Sequence, residues 1–174
     1  MINKNVFKSL KATGVSFLLL CAFLPAFAAG DPPAPVTLQV ALFMKVLPMY
    51  TNLGAEPFTL HVIGSPEIAA EFKKSVGKKA GKATLEGVTA GTGAPAGKAK
   101  VVYFGENVKA GLDFCQSNKV LSITGDTALV PEGVTLGVGI GGNGKPKFVL
   151  NLSSSKAEGV NWHPAILKIS ETVQ

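Results

Sequence analysis

KPKFVLNLSSSKAEGVNWHPAILKIS, running from Lys145 to Ser170, is the stretch whose reading decides the fold. Phe148, Leu150 and Leu152 alternate with Lys147, Val149 and Asn151, and this period of two predicts a strand with one strongly apolar face. Ser153 to Lys156 breaks the alternation. Beyond Val160 and Trp162 comes His163-Pro164, and the fixed φ of Pro164 suits the first turn of a helix, in a register that sends Ile166, Leu167 and Ile169 towards a core. The chain is therefore expected to close by laying a strand into a sheet and docking a short helix against it.

Immediately upstream, Thr135 to Ile140 forms a second strand pattern, joined to Lys147 to Leu152 by Gly141-Gly142-Asn143-Gly144-Lys145-Pro146. Asn143-Gly144 is a strong hairpin signal, because both central positions of a type I′ turn need positive φ. Val120 to Thr124 reads as a strand ending in Gly125-Asp126, and Lys100 to Phe104 as another. Between them, in Gly105 to Ser117, Val108, Leu112 and Cys115 lie near helical spacing. Thr89 to Gly97 is expected to be a flexible loop, and Ala83 to Val88 a strand before it. Phe58 to Ile63 is a strand of β-forming types, followed by a helix from Pro66 to Lys79 capped by Ser65, with Ile68, Ala69, Phe72 and Val76 facing inward. Earlier still, Leu38, Ala41, Leu42, Lys45, Val46, Met49 and Tyr50 recur three or four apart, which predicts an amphipathic helix broken near Pro48. Alternating strands and helices with a late hairpin indicate an α/β fold: a single-domain layered sandwich with a mixed sheet of about five or six strands flanked by helices.

With 174 residues, 47% of them hydrophobic, the chain can bury one core and hardly two. Residues 1–28 read as a cleavable signal peptide: Lys4, Lys8 and Lys11 precede the apolar run Val15 to Leu24, and Ala26-Phe27-Ala28 places small residues for a cut after Ala28. Cys21, inside that run and preceded by leucines, reads as part of the signal rather than as a lipid anchor. Residues 29–35, AGDPPAP, form an expected flexible leader, and residues 36–174 the domain. No later run spans a bilayer, so an exported protein with no membrane span is expected.

Removal of residues 1–28 takes away three lysines and no acid, leaving 14 lysines against 11 acids, a formal charge of +3 in place of +6. The chain has no arginine, the residue that reads phosphates and guanines bidentately, which argues against nucleic-acid binding. Cys115 would be the sole cysteine left, so no internal disulfide can form.

Catalytic chemistry finds little support. Gly139 to Gly144 fits GxGxxG, but a strand follows it where a phosphate-binding motif needs a helix, so it reads as a hairpin turn. His61 and His163 with Cys115 are too few for a structural zinc, and each histidine reads as a core polar group or a helix start. Ser122, Ser153, Ser154 and Ser155 show no nucleophile-elbow spacing. Lysines 73, 74, 78, 79 and 82 form either a solvated helix face or a basic surface for an acidic partner. Asp126 is either turn chemistry or, with Gly64, Gly105 and Gly125, part of a ligand crevice beyond the carboxyl ends of parallel strands. Trp162 is either a core plug or, with His163, a partner contact, since tryptophan is enriched at interface hot spots. Neither a cofactor nor a metal is expected.

Taken in order, the export signal, QVALFMKVLPMY, FTLHVIG with its proline-started helix, KVVYFG, VLSITGD and FVLNLSSSKAEGVNWHPAILKIS resemble the YfiR family of small periplasmic α/β proteins. The resemblance implies a regulator and not an enzyme: a periplasmic protein, expected to pair as a homodimer, that docks on the periplasmic domain of an inner-membrane sensor or diguanylate cyclase and restrains cyclic-di-GMP output and with it biofilm formation. The family's disulfide-forming cysteines have no counterpart beside Cys115, and Asn52 to Pro57 lacks the tryptophan-proline pair that tends to end the family's first helix. The second reading is a soluble periplasmic small-ligand-binding module using Gly64, Gly105, Gly125 and Asp126.

Overall fold

A computed structural model describes residues 32–174; the expected signal peptide, its expected cut after Ala28 and Cys21 lie outside the described residues. Eight strands form one sheet in the order β2-β3-β1-β4-β5-β6-β7-β8. The strands are β1 (Phe58–Ile63), β2 (Lys79–Ala80), β3 (Ala83–Gly91), β4 (Val101–Phe104), β5 (Leu121–Thr124), β6 (Leu136–Ile140), β7 (Pro146–Asn151) and β8 (Ser170–Val173). The helices are α1 (Val36–Val46), α2 (Pro66–Lys73), α3 (Leu112–Asn118), α4 (Leu152–Ala157) and α5 (Ile166–Ile169). Strands β3, β1, β4, β5 and β6 run parallel, β6 and β7 form the antiparallel hairpin, and β8 returns parallel to β7. The α/β sandwich with a mixed sheet is as expected, but with eight strands. The two extra ones are short and polar: β2 is two residues in a lysine-rich turn, and β8 is Ser-Glu-Thr-Val at an edge. Neither carries an alternating apolar face.

The sheet buries both faces because its strands alternate. On one side Leu60, Val62, Val101, Tyr103, Leu121 and Ile123 meet α1 and α2. On the other Ile63, Val102 and Phe104 meet Cys115 of α3 and Val108. The aromatic junction of the first face is Phe43 with Phe72 and Tyr103, at centroid distances of 6.3 and 5.9 Å.

Several local expectations need correction. Helix α1 buries Gln39, Val40, Phe43 and Val46 while Ala41 and Lys45 are exposed, so the buried stripe is rotated from the one expected. Its sequence is apolar almost all round, and periodicity could not choose a face. The break at Pro48 is real: α1 gives way to a 3-10 turn at Leu47–Met49. Helix α2 stops at Lys73, not Lys79, since Gly77 turns the chain at φ +84°; Val76 falls beyond the helix and is 42% exposed. The Ser65 side chain makes no capping hydrogen bond. Strand β3 runs on to Gly91 into the expected loop. Pro32 to Pro35, expected to be loose, is tied down: Ala34 is buried and the Pro32 carbonyl accepts the Ile140 N–H at 3.2 Å. Helix α5 is four residues long and buries only Ile166, leaving Leu167 and Ile169 53% and 47% exposed.

Truncating Phe43 to alanine should cost about 3–5 kcal/mol in urea unfolding, as expected for a fully buried aromatic. Leu167→Ala should stay within about 0.5 kcal/mol, because that side chain has little packing to lose.

Candidate functional site

The two candidate contact residues lie on the segment that pins the carboxyl-terminal chain to the 3-10 turns after α1. Trp162 is half-buried, pairs with Tyr50 in an isolated antiparallel bridge, and lies 5.9 Å from its ring at 52°. Its indole N–H donates to Ser155 Oγ of α4 at 2.8 Å. His163 is exposed; its N–H donates to the Met49 carbonyl at 2.7 Å, and its Nδ1 accepts the Ala165 N–H at 3.2 Å, which shapes the turn into α5. Trp162 thus joins α4 to the turn after α1, and His163, next to it in the chain, is exposed, as are Leu167 and Ile169 of α5.

Gly64, Gly105 and Gly125-Asp126 do share one end of the sheet, beyond the carboxyl ends of the parallel neighbours β1, β4 and β5. The protein's own groups crowd that end. A Cβ on Gly105 would lie 2.7 Å from Ser65 Cβ, and one on Gly125 would lie 1.8 Å from Gln39 Oε1. Gln39 is buried and donates from Nε2 to the Ala34 carbonyl at 2.6 Å while its Oε1 accepts the Tyr103 hydroxyl at 2.8 Å. That hydroxyl in turn accepts the Gly125 N–H at 3.1 Å. Burial pushes the Tyr103 phenol up to about 12, so it serves as a neutral relay of hydrogen bonds. Asp126 Oδ1 accepts the Ala128 N–H at 2.9 Å, capping the 3-10 turn Thr127–Leu129. A lone glutamine inside the apolar run of α1 was the available sequence signal for this contact.

The strongest buried polar group is one the sequence did not reveal. Glu158, at the end of α4, is fully buried. Strands β5 and β6 pair only at Ile123–Leu136 and Thr124–Gly137, and below those pairs side chains replace the ladder. Ser122 N–H donates to Glu158 Oε2 at 3.0 Å, Thr135 Oγ1 donates to the same oxygen at 2.7 Å, and Ser122 Oγ donates to Oε1 at 2.5 Å. Thr135 N–H donates to Ser122 Oγ at 2.8 Å. Burial pushes the Glu158 carboxyl from 4.5 up to about 7, and the donors from Ser122 and Thr135 only partly offset this. Burial also pushes the Cys115 thiol well above its usual range, with the Glu158 charge adding to the effect, so this thiol is not a reactive nucleophile. In the sequence Glu158 follows Ser153 to Ala157, a run with no apolar period, so no local pattern signals its burial.

His61 is the core polar group expected of it. Nε2 donates to the Gly93 carbonyl at 2.9 Å, which can only accept, and Nδ1 shares a hydrogen bond with Thr89 Oγ1 at 2.7 Å. Ser122 meets Glu158 and not a histidine. Among the described residues no group of three His, Cys, Asp or Glu could hold a metal ion, and no helix is long and apolar enough to cross a membrane. Lysines 73, 74, 78, 79 and 82 are all exposed, with Lys74 paired to Glu71 at 2.7 Å.

The YfiR/HmsC-like family model matches residues 40–171. No curated protein matches the chain. Among solved structures, a conserved domain protein from Vibrio cholerae is similar at a TM-score of 0.52 and 15% identity, over 81% of this chain and 60% of that one. The ABC domain from Streptococcus pneumoniae, determined in complex with L-Trp, is similar at 0.53 and 17% identity, over 80% and 60%. The chain thus spans 60% of the length of each, and at these identities the likeness is one of fold.

The raised Glu158 pKa has a defined effect on stability. The native state keeps a proton that the unfolded chain releases between about pH 4.5 and 7, so this group's contribution is fully present below 4.5 and is lost as pH rises to 7. The loss is on the order of 3 kcal/mol for a shift of that size. Urea unfolding at a series of pH values should show this fall in the wild type and its absence in Glu158→Gln, whose amide is neutral throughout. Glu158→Ala should be destabilised at every pH, because the donors of Ser122 and Thr135 lose their acceptor.

Proposed function

Because the chain belongs to the YfiR/HmsC-like family, we propose that it is a non-enzymatic regulator of the periplasm that binds the periplasmic part of an inner-membrane signalling protein. The proposed partner is a diguanylate cyclase, which the chain represses. The single observation that carries this reading is the family match over residues 40–171. In this reading residues 1–28 direct export and are removed, and residues 36–174 act as one domain, with Trp162, His163 and the exposed Leu167 and Ile169 as the first surface to test for contact. The exposed pair supports that choice, since large apolar side chains left in solvent mark surfaces that partners cover.

Repression by binding requires differential affinity. The regulator must hold the inactive form of its partner more tightly than the active one, and a shift from mostly active to mostly inactive needs several kcal/mol of difference.

The convergence of Gly64, Gly105, Gly125 and Asp126 on one strand end supports a second reading, a small-ligand module. The close approach of Gln39 and Ser65 there would require side chains to move aside for a ligand. A ligand at 100 times its dissociation constant would add about 2.7 kcal/mol to stability, readable as a thermal shift across a metabolite panel.

Deleting the gene should raise cyclic-di-GMP in the host and increase biofilm, and a plasmid copy should reverse both. A copy lacking residues 1–28 should fail to do so. Unchanged cyclic-di-GMP in the deletion strain, with the protein shown to be expressed in the parent, would contradict the regulatory reading.

A further inference from the structure

We propose that the cleft at the amino ends of β1, β4 and β5 is a docking site for a carboxylate-rich segment of a partner protein. The origin of that segment rests on the binding role proposed above; the chemistry of the cleft does not. The cleft has a volume of about 660 Å³ and lies between α3 and the chain that returns from β3 to β4. It is at the opposite end of the strands from Gly64, Gly105 and Gly125.

Four of its lining residues carry charge: Lys98, Lys100 and Lys119 against Glu86. These lysines stand on fixed backbone. The Lys98 carbonyl accepts Thr59 Oγ1 at 2.5 Å, Lys100 N–H donates to the Thr59 carbonyl at 3.0 Å, and the Lys100 carbonyl accepts Leu121 N–H at 3.2 Å. Lys119 closes α3 in the left-handed conformation at φ 56°, a position that glycine or asparagine fills at lower cost. Its Nζ donates to the Ala157 carbonyl at 3.0 Å, which leaves two of its three donors for a ligand. Lys98 and Lys100 form no ion pair among the described residues.

The rest of the lining determines the shape of the occupant. Pro57, which is exposed, and Phe114, which is half-buried, add an apolar strip beside the lysines, while Val120 is buried and Asn118 Nδ2 donates to the Phe114 carbonyl at 2.9 Å. A free inorganic anion would use the ammonium groups and leave that strip in water. An acidic segment with an apolar side chain among its carboxylates uses both. The concave, partly apolar wall also concentrates the lysine field, unlike the exposed lysines 73, 74 and 78 at and after the end of α2.

The test is fluorescence anisotropy with a labelled peptide of sequence Glu-Glu-Phe-Glu-Glu and the full exported chain. The wild type should bind it, more weakly as salt is raised. The triple variant Lys98→Gln/Lys100→Gln/Lys119→Gln should weaken binding at least tenfold. The variant Lys73→Gln/Lys74→Gln/Lys78→Gln, with the same change in net charge, should alter it less than twofold. Because Lys119 also holds α4, the double variant Lys98→Gln/Lys100→Gln serves where the triple fails to fold, and it should weaken binding at least threefold. Equal losses in the two triple variants, no binding by the wild type, or inorganic phosphate competing as well as unlabelled peptide would overturn the proposal. A cleft variant that loses the peptide yet still represses cyclic-di-GMP would overturn the cleft as the partner's site while leaving the regulatory reading intact.

Discussion

The carboxyl of Glu158 holds the seam between β5 and β6. A parallel sheet satisfies its backbone through its ladder, and a buried N–H without an acceptor costs as much as a lost hydrogen bond. The ladder here covers only two residue pairs, so the N–H groups of Ser122 and Thr135 would be left buried and unmet. Glu158 takes the first directly and the second through Ser122 Oγ. Its position at the end of α4 makes the seam depend on that helix, and Ser155 of the same helix holds Trp162. From Trp162 the chain is bound to Tyr50 and the turn after α1. One buried acid therefore connects the middle of the sheet to the packing of its carboxyl-terminal segment.

A carboxyl with a pKa near 7 is often the mark of a catalytic acid or base. The surroundings of Glu158 give it another meaning. It has no exposed surface, its oxygens are occupied by Ser122 and Thr135, and the nearby Cys115 thiol is held protonated by burial. The acid acts on the fold, through stability that changes with pH. That is compatible with a protein whose proposed work is to bind, and whose candidate contact residues stand at the surface on a well-anchored frame.

The architecture was legible where side-chain alternation and turn chemistry agree. Phe148 and Leu150 and the apolar strands at Phe58, Val101 and Leu121 follow the local pattern, and the α/β sandwich follows from them; the hairpin forms at Asn143-Gly144 as expected, but only Gly144 takes positive φ, so its turn is not type I′. Legibility failed where local pattern underdetermines the answer. Helix α1 is apolar on every side, and its buried face is chosen by Phe72 and Tyr103, which come from distant parts of the chain. Strands β2 and β8 lack an apolar face, and each exists only because a neighbour offers it a ladder. Ile166 and Ile169 lie three apart, as on one helix face, but α5 ends after one turn and the chain turns into an edge strand, leaving Leu167 and Ile169 exposed. Glu158 and Gln39 were hidden for the opposite reason: they are polar residues whose burial is decided entirely by partners far away in sequence. The hydrogen bond of Trp162 to Ser155 gives this side chain a structural part that neighbouring residues could not have indicated.

The claim that this chain acts by binding, with its perturbed acid confined to the fold, is tested most directly by cyclic-di-GMP measured in a deletion strain carrying Glu158→Gln. The variant, exported and folded to wild-type levels, should restore the parental level, because an amide can occupy the same hydrogen-bonded seat. A folded and exported variant that leaves cyclic-di-GMP at the deletion level would show that ionisation of Glu158 is part of the function, and would contradict the account.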